Sequence, residues 1–465
     1  MKRMFLLFIV TALLFTFVGC NKNTDDEINS NPNAVLNSVN LSEYAIIYSE
    51  SDYDYSKRAA EYIQSEISNR TSLALPIRKD TDEDIYEYEI VVGETSREIS
   101  SRLNADTEGL EFSILAEEKE IALEGDYFII AAAAYYFVDT YIVGYEFSSN
   151  VPKEVQIHEP ITKNAKNYIL LIGDGMGENH TRLYEQMQIP ENQNFSDNEN
   201  IFYGYLLPSH AYARTESLSG VTDSAAAGTA LSSGYKTLNG NIGRDKNLND
   251  VKLITELASS LGMSTAVMST EGQTGATPAA FSAHADNRGS SALIRQSQKE
   301  LSRNYGTVIN CGYDFYTKDR IPDIERVVNS VLDTLDNNEK GFFMMYEEAH
   351  IDKHSHNNDK ENTFLALVRF NQIIAVFMEY AFYNPETFIL ITADHETGKL
   401  LPNEDGEFEY NSEEHTDFAV PIFAYGKGSE FFDGKTVENT QIPKTIANLF
   451  GADNFGDPET AGALE

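Results

Sequence analysis

Four short stretches of this chain concentrate residue types that hold metal ions or attack an electrophile. The densest, Glu347-Glu348-Ala349-His350-Ile351-Asp352-Lys353-His354-Ser355-His356, places three histidines and three acids within ten residues. Asp352 and His356 are four apart and share one face of a helix, a spacing that can clamp a single metal ion. A merely solvated charge run gives no reason for so many histidines. Residues 388–392 read as a buried strand that runs into Ala393-Asp394-His395-Glu396-Thr397-Gly398, where nitrogen and oxygen donors together suit zinc. A second such strand, 168–172, runs into Gly173-Asp174-Gly175-Met176-Gly177, whose glycines let a ligand approach the backbone. It is not a dinucleotide fingerprint: the spacing is wrong, and an acid stands where phosphate would need amides. Taken alone it also fits a simple tight turn.

The fourth stretch, Val221-Thr222-Asp223-Ser224-Ala225-Ala226-Ala227-Gly228-Thr229-Ala230, joins a polar loop to an Ala-rich helix start. A serine there is commonly a cap. The same place also sets its hydroxyl at the positive end of the helix dipole, which stabilises an alkoxide and a phosphoryl group alike. His415, in Glu414-His415-Thr416-Asp417, says little by itself.

The elements that must position these residues are also visible. From Asn167 onward, apolar strand-like runs alternate with helical segments, the signature of an α/β domain with a largely parallel sheet. Such sheets present functional groups at the carboxyl ends of their strands. A polar stretch, 148–167, containing Pro152 and Pro160, reads as a linker. Before it, short apolar runs at 44–48, 88–92 and 121–123 alternate with helical stretches at 56–67 and 127–141, which makes a small α/β unit. Residues 21–40 read as a flexible tether.

At the N-terminus, Lys2 and Arg3 precede an apolar run from 4 to 18, shorter than the roughly 20 residues that span a bilayer, and so an export signal. It ends Phe17-Val18-Gly19-Cys20, which resembles the bacterial lipoprotein cleavage box with Phe17 where Leu is usual. The expected organisation is a signal peptide at 1–19, a tether at 20–40, an accessory α/β domain at 41–159 and the main domain at 160–465. The protein is expected to be exported, extracytoplasmic and anchored to a bacterial membrane by lipid on Cys20. Cys311 then has no disulfide partner in the chain and reads as a small buried apolar residue. With 73 acidic against 35 basic residues, a net charge of −38 repels polyanions and disfavours nucleic acid as a partner.

Together the four motifs resemble the alkaline phosphatase family from Asn167 to the C-terminus. The resemblance implies an alkaline phosphatase-like three-layer domain, two zinc ions and one magnesium ion, and hydrolysis of small phosphate monoesters through a phosphoserine. By the same resemblance Ser224 is the nucleophile and a ligand of one zinc, with Asp394 and His395 completing that site and Asp174 bridging it to magnesium. Asp352, His356 and His415 hold the other zinc, while Thr277 and Glu347 join Asp174 around magnesium. Arg288, closing Ala276-Thr277-Pro278-Ala279-Ala280-Phe281-Ser282-Ala283-His284-Ala285-Asp286-Asn287-Arg288, matches the phosphate-binding arginine.

Two departures stand out. Gly275 occupies the place where relatives carry Asp or His, and only nineteen residues separate His395 from His415, which implies a short or missing crown insertion. The first departure leads to the expectation that Lys353 has no acidic partner from that position and is free to reach bound phosphate. A phosphodiesterase of the same superfamily is the alternative enzyme, and a non-catalytic surface binding lipoprotein the alternative of another class. A sulfatase is disfavoured because Ser224-Ala225-Ala226 lacks the Cys/Ser-x-Pro-x-Arg context. The N-terminal unit resembles hexosaminidase domain-2-like accessory domains through Ala59-Ala60-Glu61-Tyr62, Leu75-Pro76-Ile77 and Val91-Val92-Gly93-Glu94-Thr95. Carbohydrate contact is one role for it, and packing or spacing the other.

Overall fold

The computed structural model describes residues 33–50, 54–103, 109–187, 201–312 and 321–458. The expected export signal and Cys20 lie outside them. The main domain is organised by an eight-stranded sheet, in the order Val308–Cys311, Ser264–Ser269, Phe342–Glu348, Asn167–Gly173, Thr387–Thr392, Val420–Tyr425, Ser209–Arg214, Thr436–Glu438. Neighbouring strands run parallel except against Val420–Tyr425, which is antiparallel to both of its partners. Central strands such as Asn167–Gly173 are buried along their whole length, which is why they read as unbroken apolar runs without alternation. Each large apolar side chain so buried contributes roughly 1.5–3 kcal/mol.

The helix Lys360–Tyr383 is long and apolar enough to cross a membrane, yet it is largely buried in the fold, packed between this sheet and the N-terminal unit. Its composition thus reflects burial from several sides.

The N-terminal unit is built on a six-stranded sheet, ordered Ile77–Lys79, Tyr44–Tyr48, Tyr88–Val92, Glu120–Glu124, Phe112–Ala116, Glu154–Ile157, with the helices Tyr55–Thr71 and Ile130–Tyr141 packed against it and each other. Two boundaries differ from expectation. The stretch read as tether already contains the strands Ala34–Leu36 and Val39–Asn40, paired with each other and with Phe147–Ser149, because Ala34 and Leu36 are apolar and fully buried. The stretch read as linker supplies the last two residues of strand Phe147–Ser149 and all of Glu154–Ile157 to the N-terminal sheets, despite Pro152 between them.

Nor are the two units strung loosely together. One apolar core is continuous across both. Tyr62 and Tyr383 lie with ring centroids 4.4 Å apart, Phe128 meets Tyr203 edge-on at 4.9 Å, and Arg58 pairs with Glu379 through two hydrogen bonds of 2.8 and 2.9 Å. Cys311 is half-buried, with burial pushing its thiol upward, so it is less enclosed than expected.

Candidate metal and nucleophile centre

Register alone brings three of the motifs to one edge. Strand Asn167–Gly173 pairs Ile172 with Glu347 on one side and with Thr392 on the other, so Asp174, Glu347 and Asp394 emerge together at the carboxyl ends. Gly175 has φ +75°, and a Cβ there would come within 2.8 Å of the Asp352 Cα. Glycine is therefore needed both for the turn and for close approach of the helix His350–Ser355 that carries Asp352. Fully buried His180 secures the same loop: its Nδ1 accepts from the Gly177 N–H at 3.2 Å, and its Nε2 lies 3.1 Å from the Ser355 hydroxyl.

Ser224 is the first residue of the helix Ser224–Ser233. The cap is its neighbour Asp223, whose Oδ1 accepts from the Ala226 N–H at 3.0 Å. This leaves the serine hydroxyl free of capping and 3.2 Å from His395 Nε2. The other oxygen of Asp223 accepts from Arg288 Nη1 at 3.2 Å, so the arginine is tied to the residue preceding the serine.

Two groups of metal-competent side chains converge, Asp174 with Asp352 and His395, and Asp352 with His356 and His415; within each, ligand atoms lie within 4.8 Å of one another. Asp352 belongs to both. His395 Nε2 is 3.2 Å from Asp394 Oδ2 and 3.6 Å from Asp174 Oδ1. His356 Nε2 is 3.0 Å from His415 Nε2 and 3.3 Å from Asp352 Oδ1.

The histidine tautomers follow from their other nitrogens. His356 Nδ1 faces the Glu413 carbonyl and His415 Nδ1 the Thr222 carbonyl, so each must donate there. His395 Nδ1 faces the Thr397 hydroxyl at 3.2 Å, and that hydroxyl in turn donates to Asp352. In the neutral rings all three Nε2 lone pairs therefore point inward at carboxylate oxygens, an arrangement of acceptors facing acceptors that a cation resolves.

The carboxylates say the same. Burial, and then the neighbouring acids, raises Asp174 and Glu347 well above the usual range and pushes Asp394 up to about 7. Burial would also raise Asp352, but when the rings are protonated the hydrogen bond from His415 and the charges of His395, His356 and His415 outweigh it and hold that group low. Asp174 Oδ1, Asp394 Oδ2, Glu347 Oε1 and Thr277 Oγ1 are buried and have no hydrogen-bond partner among the described residues. Uncompensated buried acceptors of this kind are costly unless cations complete them, so the residues present fit metal ions.

Of the residues expected from the motifs, Asp352, His356 and His415 stand together, as do Asp174, Ser224, Asp394 and His395. Thr277 lies beside the Glu347 carboxyl. Lys353 is not free of an acidic partner: its Nζ is 3.2 Å from Glu271 Oε2. Burial alone would depress this ammonium, but Glu271 holds it above its ordinary value. Three contributors were not identified from sequence: Asp223, Thr397 and Glu271. The first two sit inside quoted motifs, and Glu271 follows the strand Ser264–Ser269, yet no local pattern says which way their side chains turn.

Comparison with known proteins agrees with this geometry. The family described as "Alkaline phosphatase" matches residues 165–309 and 298–406. Alkaline phosphatase 4 of Bacillus subtilis is 28% identical over 340 residues, 61% of this chain and 71% of the relative. Alkaline phosphatase of Escherichia coli is 24% identical over 418 residues, 62% of this chain and 87% of the relative. Among solved structures, alkaline phosphatase from the Antarctic bacterium TAB5 superposes with a TM-score of 0.55 at 25% identity, covering 63% of this chain and 100% of that one. A variant of that enzyme, solved with Mg bound in the M3 site, superposes with a TM-score of 0.51.

Proposed function

Since this chain belongs to the alkaline phosphatase family, we propose that it hydrolyses small phosphate monoesters through a phosphoserine on Ser224 and releases inorganic phosphate. The observation that carries this reading is the Ser224 hydroxyl, 3.2 Å from His395 Nε2 and at the edge of two ligand groups that share Asp352. Asp174, Asp394 and His395 would hold one zinc with Ser224, Asp352, His356 and His415 the other, and Asp174, Thr277 and Glu347 a magnesium. Bound there, the ions supply Lewis-acid stabilisation of the attacking and leaving oxygens.

The protein's own groups do the rest. The start of helix Ser224–Ser233 favours negative charge on the serine oxygen and on the phosphoryl group it accepts. Ser224 Oγ forms the bond to phosphorus as the alcohol leaves, and water then cleaves the phosphoserine. Arg288, fixed by Asp223, offers a planar fork to two non-bridging oxygens. The test is turnover of a generic aryl phosphate by metal-loaded protein beside a matched aryl diester. Preference for the monoester supports the proposal, whereas preference for the diester, or no turnover of either, overturns it.

The two cations near the site are expected to differ. Arg288→Lys loses a charge-assisted hydrogen bond of about 1.5–3 kcal/mol, so the inhibition constant for inorganic phosphate should rise roughly 10- to 100-fold. Lys353 is proposed to add charge toward bound phosphate, but it is half-exposed and already paired with Glu271. Lys353→Ala should therefore raise that constant by less than about fivefold, the scale of an exposed charge. Phosphate inhibition of both variants checks this, and equal effects would contradict it.

Export and lipid attachment at Cys20 belong to the same proposal, as does an accessory role for the N-terminal unit. Cys20→Ser is expected to move the protein from the membrane fraction to the soluble one; unchanged fractionation would rule out the anchor.

A further inference from the structure

Gly275 caps the helix Ala276–Ala280, which carries Thr277. The space where its side chain would begin is filled: a Cβ built there would lie 1.7 Å from Glu271 Oε1 and 2.0 Å from Glu271 Cδ. The turn that brings Glu271 back to this place is well defined. Its N–H donates to Ser269 Oγ at 2.9 Å, the Gly275 N–H donates to the Gly272 carbonyl at 2.7 Å, and the Ser269 hydroxyl donates to the Glu347 carboxylate. Its Oε2 is 3.2 Å from Lys353 Nζ.

Lys353 thus faces a cluster of acids with Thr277 beside it, in which Glu347 Oε1 and Thr277 Oγ1 are fully buried and have no hydrogen-bond partner among the described residues. Those two atoms and Asp174 Oδ1 call for a cation. Magnesium characteristically keeps several waters, and an acceptor fixed beside its ligands orients those waters and sharpens affinity.

We propose that Glu271 is the positioning carboxylate of the third cation site, taking the volume that Gly275 vacates, held by Lys353 through one oxygen and supporting the magnesium at Asp174, Thr277 and Glu347 from its outer shell. The acid that position 275 cannot supply is thereby supplied from four residues earlier, and Gly275 is the residue that makes room for it. This rests on the reading that Asp174, Thr277 and Glu347 hold a third cation.

Calorimetric titration of magnesium into chelator-stripped protein reloaded with zinc tests it, with the magnesium-dependent rise in Tm as a second readout. Glu271→Gln keeps the shape of the side chain and should weaken magnesium binding about 10- to 100-fold, the usual cost of losing an outer-shell partner. Gly275→Asp placed in the native background meets the Glu271 carboxylate and should also bind magnesium less well. The double variant Glu271→Ala/Gly275→Asp should bind it better than Glu271→Ala alone, because one acid replaces the other. Unchanged affinity in Glu271→Gln, or no recovery in the double variant, overturns the role of Glu271. Wild-type protein that binds no magnesium overturns the third-site reading itself.

Discussion

Ser224→Ala is expected to lower turnover of an aryl phosphate by roughly 10⁴- to 10⁶-fold, the scale on which removal of a covalent nucleophile acts. The fold should survive. Ser224 is followed by Ala225, Ala226 and Ala227 in a helix capped by Asp223, so the change removes one hydroxyl and its 3.2 Å contact with His395 and leaves the cap in place. Alanine is also the better helix former. An unaltered circular dichroism spectrum and Tm beside lost turnover would assign the loss to chemistry. Acid quenching of the wild-type reaction should trap phosphate on Ser224 and on no residue of the variant. Full activity in Ser224→Ala would remove the serine from the mechanism.

Stripping the metal ions is expected to abolish activity and lower Tm, with zinc plus magnesium restoring both. Bound ions stabilise the native state by mass action, about 2.7 kcal/mol at a hundredfold excess over Kd and about 4.1 kcal/mol at a thousandfold. The metal-free protein should also show a definite pH dependence. Asp174, Glu347 and Asp394 are raised in the fold by burial and by neighbouring acids, Asp394 to about 7. A carboxyl raised in this way binds more protons folded than unfolded, so its contribution falls as pH rises from about 4, the ordinary aspartate value, toward its folded value. His180 and His395, which burial holds low, act in the opposite sense, but three raised carboxyls outweigh two histidines, so stripped protein should be more stable at pH 5 than at pH 8. The loaded protein should not share that slope, because cations replace the protons. Thermal melts at the two pH values, with metal content measured on the same samples, check this. A depleted protein with unchanged Tm and activity would refute the metal assignment.

The depth of the site was legible because its main residues sit where regular elements end. Residues 168–172 and 388–392 are apolar runs that stop at an acid, and a parallel sheet aligns such ends along one edge. Asp352 and His356 are related by helical spacing, so their convergence on His415 needed only that the chain return. The extent of the N-terminal unit was less legible. Ala34–Leu36 is too short to stand out from its polar surroundings, and only its pairing with Val39–Asn40 and Phe147–Ser149 makes it a strand. The stretch read as a linker likewise contains Glu154–Ile157, whose alternating polar and apolar residues become an edge strand beside Phe112–Ala116.

By itself the sequence determined the α/β class, the alternation that orders the main sheet, and which serine, acids and histidines stand at strand and helix ends, because these follow from local periodicity and from residue type. Only the tertiary structure decided what completes them: Thr397, Thr222 and Glu413 orienting the three histidines, Asp352 shared between two ligand groups, Asp223 holding Arg288, and Glu271 in the space beside Gly275 with Lys353 on its other oxygen. Each of these depends on where a side chain turns relative to a segment that can lie far away in the chain. Close packing settles that choice by filling the volume one residue leaves with another, and no local pattern records which neighbour will fill it.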